Sequence, residues 1–213
     1  MVISGNSSAW LASFLDVHEK VLQVIESIWP DCSRRFDSQS LENKITDQLA
    51  LMLRCDPRSR GNWIVSPQYK LLASDVTGDV ETKGYPDFAI FFDLNQENYI
   101  AYECKRLNIL FPSGFQSLAD KYIGEGLMRY VSAQYAQELP FGVMVGYVLD
   151  GNAPKAIDAV KSQIRKKRSL LHCYNSPPTV DLSAVSFITR FSTIHSRPSG
   201  EIEVQHLFLP LNP

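Results

Sequence analysis

Several hallmarks of specialised protein classes are missing from this sequence. No apolar run approaches the ~18 residues that a membrane-spanning helix needs. The N-terminal residues lack the basic region and the apolar stretch of a secretory signal peptide. No internal repeat and no low-complexity tract occurs. We therefore expect a globular protein without a membrane segment, located in the cytoplasm.

Cysteine and net charge are also sparse. The four cysteines, Cys32, Cys55, Cys104 and Cys173, lie far apart, and no pair has the spacing of a zinc site. A chain of this size needs no disulfide framework, so we expect reduced thiols. The formal net charge of −2 gives no overall basic signature. Any surface that binds nucleic acid must therefore be a local patch.

What is present is ordinary globular composition. Apolar residues make up 45% of the 213 residues, and charged residues make up 21%. This is enough for a substantial core, and no linker separates two cores. The sequence therefore predicts a single α/β domain over residues 1–213, with its core at about 40–150.

Hydrophobic periodicity places the main elements. An amphipathic helix is predicted over 8–29, ended by Pro30, and a second helix from about Leu41 to Leu53, capped by Ser40. The remaining predicted elements are a strand within 63–73, in which Pro67 marks a bulge or an edge, a hairpin over 87–105, a helix over 118–138, a buried strand over 141–149, a helix over 153–170, and two strands over 184–192 and 202–209. The central order is helix, strand, strand, strand, helix, strand, with an N-terminal helix and C-terminal additions over 153–209.

The predicted hairpin carries acids within apolar strands. If the hairpin is centred on Asn95, the residue numbers of each opposed pair add up to 190. This register pairs Phe88 with Tyr102 and Asp87 with Glu103. Lys105 follows Glu103 by two residues and shares its face of the sheet. Two carboxylates with β-carbons ~5 Å apart repel each other, so one takes up a proton or a cation lies between them.

This set of side chains suits metal-assisted hydrolysis. Carboxylate oxygens with few other donors favour Mg²⁺ or Mn²⁺. A neighbouring lysine can orient an attacking water or stabilise the charge that develops on a phosphate. Taken singly, each residue also has a structural explanation: Asp87 as a strand-start residue, and Glu103 with Lys105 as an exposed ladder. The apolar character of both hairpin faces argues against that explanation for all three together.

The pattern Pro86-Asp87, followed by Glu103-Cys104-Lys105, resembles the PD-(D/E)xK nuclease superfamily. The acid begins one strand, the E-x-K ends the next, and a helix with small residues and a buried strand follow. The resemblance covers about 40–150. It implies a restriction-endonuclease-like core, in which a mixed central sheet is flanked by helices (αβββαβ). It also implies metal-dependent cleavage of phosphodiester bonds, with Asp87 and Glu103 binding the metal and Lys105 assisting the water.

Glu42 is a further candidate for this site. In many members of the superfamily an acid on the helix before the sheet joins the metal. Glu42 falls within the core-facing arc of the second helix, where a buried acid needs a partner. The alternative is a first-turn glutamate that is stabilised by the helix dipole. The sequence leaves both interpretations open.

Basic residues offer candidate contacts to nucleic acid. Arg165, Lys166, Lys167 and Arg168 cluster near the end of the predicted C-terminal helix, where they either bind phosphates or form a solvated helix end. Arg129 lies at the edge of the buried face of the third helix and could approach the acids.

We therefore expect a magnesium-dependent endonuclease acting on nucleic acid, with DNA as the expected substrate. Restriction, phage defence and repair are the settings that the resemblance implies. A nuclease of this size is expected to act as a homodimer or with a partner subunit. Two alternatives remain open: a nuclease-fold subunit that binds without cutting, and an ordinary α/β protein whose acids form a structural ion pair with Lys105.

Overall fold

The computed structural model describes residues 7–74, 79–93, 95–175 and 187–211. These residues form an α/β fold with a mixed central sheet flanked by helices. The elements are α1 (Ser7–Ser33), α2 (Glu42–Cys55), β1 (Ile64–Pro67), β2 (Leu71–Ser74), β3 (Val80–Gly84), β4 (Phe88–Phe91), β5 (Tyr99–Leu107), β6 (Ile109–Phe111), β7 (Gly114–Gln116), α3 (Ala119–Lys121), a π-helical turn (Tyr122–Leu127), α4 (Met128–Val131), β8 (Phe141–Val148), α5 (Ala153–Lys166), β9 (Thr189–Arg197) and β10 (Gly200–Pro210). We refer to α3, the π-helical turn and α4 together as the 119–131 helical segment.

The central sheet has six strands in the order β1-β4-β5-β8-β10-β9. β4 pairs antiparallel with β1 and with β5, whereas β8 runs parallel to both β5 and β10. Two small sheets, β2-β3 and β6-β7, lie outside it. With these hairpins set aside, α2 to β8 follow the predicted order of helix, three strands, helical segment and strand.

The register of the β4-β5 hairpin is the predicted one. Phe88 pairs with Tyr102, Ala89 with Ala101, Ile90 with Ile100 and Phe91 with Tyr99. All four β4 residues are buried, so both faces of this strand are apolar. A shift of the β4-β5 pairing by one position would exchange these two faces and would change which β5 residues lie beside Asp87. The ladder ends at Phe88, and Asp87 immediately precedes it.

The two faces of the sheet are covered by different helices. On β8, Tyr147 stacks on Trp29 of α1, with ring centroids 5.7 Å apart. Gly142 instead lies beneath the ring of Tyr130 in the 119–131 helical segment. Because successive residues of a strand point to opposite faces, odd-numbered β8 residues face α1 and even-numbered ones face the helical segment.

The faces of β5 follow from its contacts. The Tyr147 hydroxyl donates to Cys104 Sγ at 3.3 Å, which places Cys104 on the face covered by α1 and α2. Glu103 and Lys105 therefore point to the opposite face, beneath the 119–131 helical segment. All eight residues of β8 are buried, as the continuous apolar run predicted.

Several predicted boundaries in the first half of the chain are wrong. Pro30 does not end α1, which continues to Ser33 because Trp29 and Cys32 are fully buried and tertiary packing outweighs propensity. Ser40 does not cap α2: its hydroxyl donates to Asp37, and Leu41 occupies the N-cap position. The strand predicted within 63–73 is two strands in different sheets, and Pro67 ends β1 at the edge of the central sheet.

The later elements also differ in length. The 119–131 helical segment ends before the predicted 138, and α5 ends at Lys166 instead of 170. β9 and β10 extend towards each other until Arg197 pairs with Gly200, which leaves a shorter turn than predicted. Residues 184–186 of the predicted strand lie outside the described ranges.

All four cysteines lie within the described ranges and are free thiols, as predicted. Among the described helices, none combines the length and apolarity that crossing a bilayer requires.

Candidate active site

Asp87 is held against β5 by its side chain. The backbone amide of Cys104 donates to Asp87 Oδ2 at 2.6 Å. Cys104 lies between Glu103 and Lys105, so this bond places the Asp87 carboxylate beside both residues. The side chain of Asp87 is half-buried.

Glu103 and Lys105 form a buried ion pair. Glu103 has no exposed surface, and its Oε1 lies 2.8 Å from Lys105 Nζ. The same ammonium group donates to the carbonyl of Cys104 at 2.8 Å and to Glu42 Oε1 at 3.0 Å. Lys105 therefore joins the acid on its own strand to an acid on α2.

Glu42 is the first residue of α2, and both its oxygens contact β5. Oε1 accepts from Lys105, and Oε2 accepts from the backbone amide of Arg106 at 3.0 Å. The side chain of Arg106 reaches back to the Ser40 carbonyl at 3.3 Å. The carboxylate lies at a helix N-terminus and also beside Lys105, so the structure leaves both interpretations of Glu42 open.

Arg129 of α4 supplies a second cation. Its Nη1 lies 2.9 Å from Glu103 Oε1 and donates to the Tyr135 hydroxyl at 2.5 Å. That hydroxyl donates in turn to the carbonyl of Tyr85 at 2.8 Å, two residues before Asp87. Tyr135 was not predicted as a site residue. We call Asp87, Glu103, Glu42, Lys105 and Arg129 the acid cluster.

The 119–131 helical segment approaches β5 closely at Gly126. A Cβ at this position would meet Met144 Cε at 2.4 Å and Lys105 Cγ at 3.5 Å. The missing side chain lets the segment lie directly over Lys105. This agrees with the predicted role of small residues on this face of the helix.

Burial and mutual repulsion change the acidity of the carboxyl groups. Burial, and then the neighbouring Asp87, raises the pKa of Glu103 to about 7, although Lys105 and Arg129 oppose the shift. Burial also raises the pKa of Asp87, against the opposing hydrogen bond from Cys104. Burial alone would lower the pKa of Lys105, but Glu103 and Glu42 hold it above its usual value. Perturbed acids of this kind are common at functional sites.

The donor chemistry of the acid cluster fits a hard divalent cation. Asp87, Glu103 and Glu42 each contact the stretch of β5 from Cys104 to Arg106, and carboxylate oxygens are the ligands that such cations prefer. In the conformation described, however, Lys105 and Arg129 neutralise Glu103. Across residues 7–74, 79–93, 95–175 and 187–211, no three His, Cys, Asp or Glu side chains are arranged to hold a metal ion.

The predicted basic cluster has mixed surroundings. Arg165 and Lys166 are exposed, as a phosphate-binding surface requires. Lys167 pairs with Asp120 at 2.5 Å. Arg168 donates to the carbonyls of Cys173 and Tyr174, both at 2.9 Å. None of the contacts that the structure records for these four residues connects them to the acid cluster.

No family model, no curated protein and no solved structure matches this chain.

Proposed function

We propose that this chain is a metal-dependent nuclease that hydrolyses phosphodiester bonds, with DNA as its substrate. The observation that carries the proposal is the position of Lys105. Its ammonium lies 2.8 Å from the Glu103 carboxylate and 3.0 Å from the Glu42 carboxylate, and Asp87 is bonded to the intervening Cys104 amide. A lysine beside carboxylates, at the junction of two strands and a helix N-terminus, supplies the kinds of side chain that metal-assisted hydrolysis uses.

The topology supports the same proposal. Helix α2 is followed by the antiparallel strands β1, β4 and β5, then by a helical segment and the parallel strand β8. Asp87 lies at the start of the second of these three strands, and Glu103 and Lys105 lie within the third. This arrangement is what the resemblance to the PD-(D/E)xK superfamily implies, so we assign the restriction-endonuclease-like fold as part of the proposal.

The five residues of the acid cluster take three roles. Asp87, Glu103 and Glu42 would hold Mg²⁺ or Mn²⁺, which supplies a Lewis acid and a water of lowered pKa. Lys105 orients the attacking water and stabilises negative charge on the phosphate. Arg129 limits the repulsion between Asp87 and Glu103. Metal binding requires Lys105 and Arg129 to give up part of their pairing with Glu103.

The wider setting belongs to the same proposal. The exposed Arg165 and Lys166 are the members of the basic cluster best placed to contact phosphates. We propose action in the cytoplasm, in restriction, phage defence or repair. A homodimer or a partner subunit would supply the nucleic-acid surface that a net charge of −2 does not.

One observation favours a second candidate function. Lys105 and Arg129 both pair with Glu103, so the acids are neutralised by the chain's own cations. This pairing suits a nuclease-fold subunit that binds nucleic acid or a partner protein without cutting. It also suits a purely structural ion cluster.

A cleavage assay separates these functions. The protein is incubated with plasmid, linear and single-stranded DNA and with RNA, in Mg²⁺, in Mn²⁺ and in chelator. The proposal expects metal-dependent cleavage that is lost in Asp87→Ala and Lys105→Ala but retained in Lys121→Gln, a control for the loss of one exposed lysine. Cleavage that survives both cluster substitutions refutes the assignment of the site. If no substrate is cut and no metal affinity depends on Asp87, the binding subunit is favoured.

A further inference from the structure

Arg129 is the most solvent-accessible cation of the acid cluster. Glu103 has no exposed side-chain surface, and the side chains of Lys105 and Glu42 are 12% and 25% exposed. The side chain of Arg129 is 34% exposed. Arg129 therefore contacts the buried acid at one end and reaches solvent at the other.

The guanidinium of Arg129 uses only one of its three nitrogens within the protein. Nη1 donates to the Tyr135 hydroxyl at 2.5 Å and to Glu103 Oε2 at 3.1 Å, and these two bonds use both of its hydrogens. Within the described part of the chain, no residue accepts from Nε or Nη2 of Arg129. The buried side-chain nitrogens that lack a partner there are those of Trp63 and Arg197, so Nε and Nη2 of Arg129 are accessible to solvent.

These two accessible nitrogens form one edge of the planar guanidinium. The Nε hydrogen and one Nη2 hydrogen point in the same direction, which lets this edge bind two oxygens of a phosphate at once. A lysine ammonium is a point charge without such an edge. Arg129 can therefore bind a phosphate without releasing the partners of Nη1.

Tyr135 fixes the direction of the guanidinium. The Tyr135 hydroxyl has one hydrogen and donates it to the carbonyl of Tyr85 at 2.8 Å, so it can only accept from Arg129. The Tyr135 ring is fully buried, and its centroid lies 5.5 Å from Arg129 Cζ. Because Tyr85 precedes Asp87 by two residues, Tyr135 also connects Arg129 to the backbone that carries this acid.

Arg197 of β9 holds the segment that carries Tyr135. Its Nη1 donates to the carbonyl of Ala136 at 2.9 Å, and its Nη2 donates to that of Leu139 at 2.9 Å. Nη1 also lies 3.5 Å from the carbonyl of Tyr135 itself. The position of Tyr135 is thus fixed by the central sheet as well as by its own loop.

We propose that Arg129 binds a phosphate group of the substrate through Nε and Nη2, while Nη1 stays on Tyr135 and on Glu103 Oε2. Tyr135 is the positioning residue that keeps the free edge of Arg129 available to the phosphate. The inference rests on the proposed function, which identifies the ligand as the backbone of nucleic acid. It adds a substrate contact to the role of Arg129 in limiting repulsion between the acids.

DNA binding in chelator tests the inference without using cleavage. The probes are a short DNA duplex and one of its strands, titrated from ~50 to ~200 mM salt so that the salt dependence of affinity is measured. The proteins are the unmodified chain, Arg129→Lys, Arg129→Gln, Tyr135→Phe and the double variant Arg129→Gln with Tyr135→Phe. Thermal unfolding confirms that each variant is folded.

Arg60 provides the matched control. It is exposed and follows α2, whereas Glu42 begins that helix, and a helix of 14 residues is ~20 Å long. Arg60→Lys and Arg60→Gln should bind both probes like the unmodified protein.

Arg129→Lys is the decisive variant, because lysine can still neutralise Glu103 but cannot bind a phosphate with a second edge. We expect Arg129→Gln to weaken binding of at least one probe by about tenfold, the effect of losing hydrogen bonds to a charged group, and Arg129→Lys to weaken it nearly as much. In both variants the slope of log affinity against log salt should become less steep by about 0.7–0.9, the value of one phosphate contact.

The role of Tyr135 is tested by non-additivity. Tyr135→Phe alone should weaken binding by about twofold to tenfold, the effect of one lost hydrogen bond. In the Arg129→Gln background the same substitution should have no effect, because the residue that Tyr135 positions is already missing. An equal effect in both backgrounds would refute the positioning role.

Three results overturn the phosphate contact. The first is that the unmodified protein binds neither probe. The second is that Arg129→Lys binds as tightly as the unmodified protein with an unchanged salt slope, which would show that Arg129 only neutralises the acids. The third is that the Arg60 variants weaken binding as much as the Arg129 variants. Should Tyr135→Phe fail to fold, the two Arg129 variants still decide the matter.

Failure of this inference can be distinguished from failure of the proposed function. Metal-dependent cleavage that requires Asp87, combined with normal DNA binding by Arg129→Lys, would refute the phosphate contact and retain the nuclease. DNA binding that depends on Arg129, without cleavage of any substrate, would retain the contact and favour the binding subunit.

Discussion

The backbone amide of Cys104 donates a 2.6 Å hydrogen bond to the Asp87 carboxylate. The β4-β5 ladder ends at the pair of Phe88 and Tyr102, two residues before Cys104, so the Cys104 amide bonds to a side chain and not to a backbone carbonyl of β4. Because Cys104 lies between Glu103 and Lys105, the register of the hairpin fixes how far apart the acids lie. Backbone geometry therefore holds together carboxylates that would otherwise repel each other.

This bond predicts different outcomes for two substitutions of Asp87. Asn keeps an oxygen that accepts from Cys104 and removes one charge, so Asp87→Asn should change the free energy of unfolding by less than about 1 kcal/mol. Ala leaves the amide without its acceptor, and Asp87→Ala should cost about 1–3 kcal/mol. Urea unfolding at pH 7 measures both. If Asn costs as much as Ala, charge pairing and not the hydrogen bond gives Asp87 its structural role.

Both substitutions should abolish cleavage if the proposed function is right, because a metal ligand is lost in each. Asp31→Asn, which removes an exposed carboxylate on α1, is the control and should cleave normally. Activity retained in Asp87→Asn would contradict the assignment of Asp87 as a ligand.

Glu103 predicts a dependence of stability on pH. Burial and the nearby Asp87 raise its pKa from 4.5 to about 7, so between these values the folded state holds a proton that the unfolded state has lost. The contribution of Glu103 to stability therefore falls as pH rises from 4.5 to 7. Glu103→Gln removes this dependence and should gain about 3 kcal/mol relative to the unmodified protein across that window.

Denaturant unfolding of both proteins at pH 5, 6, 7 and 8 measures the change. Glu125→Gln, an exposed site on the 119–131 helical segment, is the control and should run parallel to the unmodified protein. A constant difference between Glu103→Gln and the unmodified protein would show that Glu103 is ionised throughout, because Lys105 and Arg129 outweigh its burial.

Much of the acid cluster was predictable because strands have a period of two. The apolar pairs Phe88–Tyr102 and Ala89–Ala101 leave one register that buries both faces, and this register places Asp87 beside residues 103–105. The same period of two also predicts that Lys105 lies on the same face of the sheet as Glu103. The arc of α2 likewise placed Glu42 on the buried side, but its pairing with Lys105 needed the packing of α2 on the sheet.

Other contacts could not be predicted from the sequence. Tyr135 contacts Arg129 after the chain turns at Ala133, which has a φ of 57°. Alanine rarely adopts the left-handed region, so nothing in the sequence indicates this turn. The prediction that Pro30 ends α1 was wrong for a related reason. The burial of Trp29 and Cys32 depends on the sheet, and it outweighs the low helix propensity of proline.

The close approach at Gly126 predicts a contrast with Gly124. A Cβ at Gly126 would lie 2.4 Å from Met144 Cε, which is too close, and 3.5 Å from Lys105 Cγ, which is an ordinary contact, whereas one at Gly124 meets nothing within 4 Å. Gly126→Val should cost about 1–3 kcal/mol through overpacking. Gly124→Val, the same substitution in open space two residues away, should change stability by no more than about 0.5 kcal/mol.

Thermal unfolding of the two variants measures the contrast. If the proposed function is right, Gly126→Val should also reduce cleavage, because the new side chain is added beside Lys105, while Gly124→Val should not. Equal stability of the two variants would show that the Met144 side chain rearranges to admit the new group.

His18 predicts instability in acid. It is fully buried, accepts from the Tyr102 hydroxyl at 2.9 Å through Nδ1 and donates to Gln205 at 2.6 Å through Nε2. Burial lowers its pKa to about 3, despite the opposing hydrogen bond to Gln205. Below pH 6.5 the unfolded chain takes up a proton that folded His18 refuses, so stability falls as pH decreases from 6.5 towards 3.

The cost for this one group should reach on the order of 3 kcal/mol by pH 4. His18→Gln can replace both hydrogen bonds but cannot titrate, so it should be somewhat less stable than the unmodified protein at pH 7 and should overtake it near pH 4. Urea unfolding at pH 7, 5.5 and 4 measures the crossover.

The exposed His172 provides the control, since His172→Asn should show no crossover. Burial also lowers the pKa of His195 and of His206, so His18→Gln should retain part of the acid sensitivity. Parallel curves for His18→Gln and the unmodified protein would mean that folded His18 takes up a proton without strain.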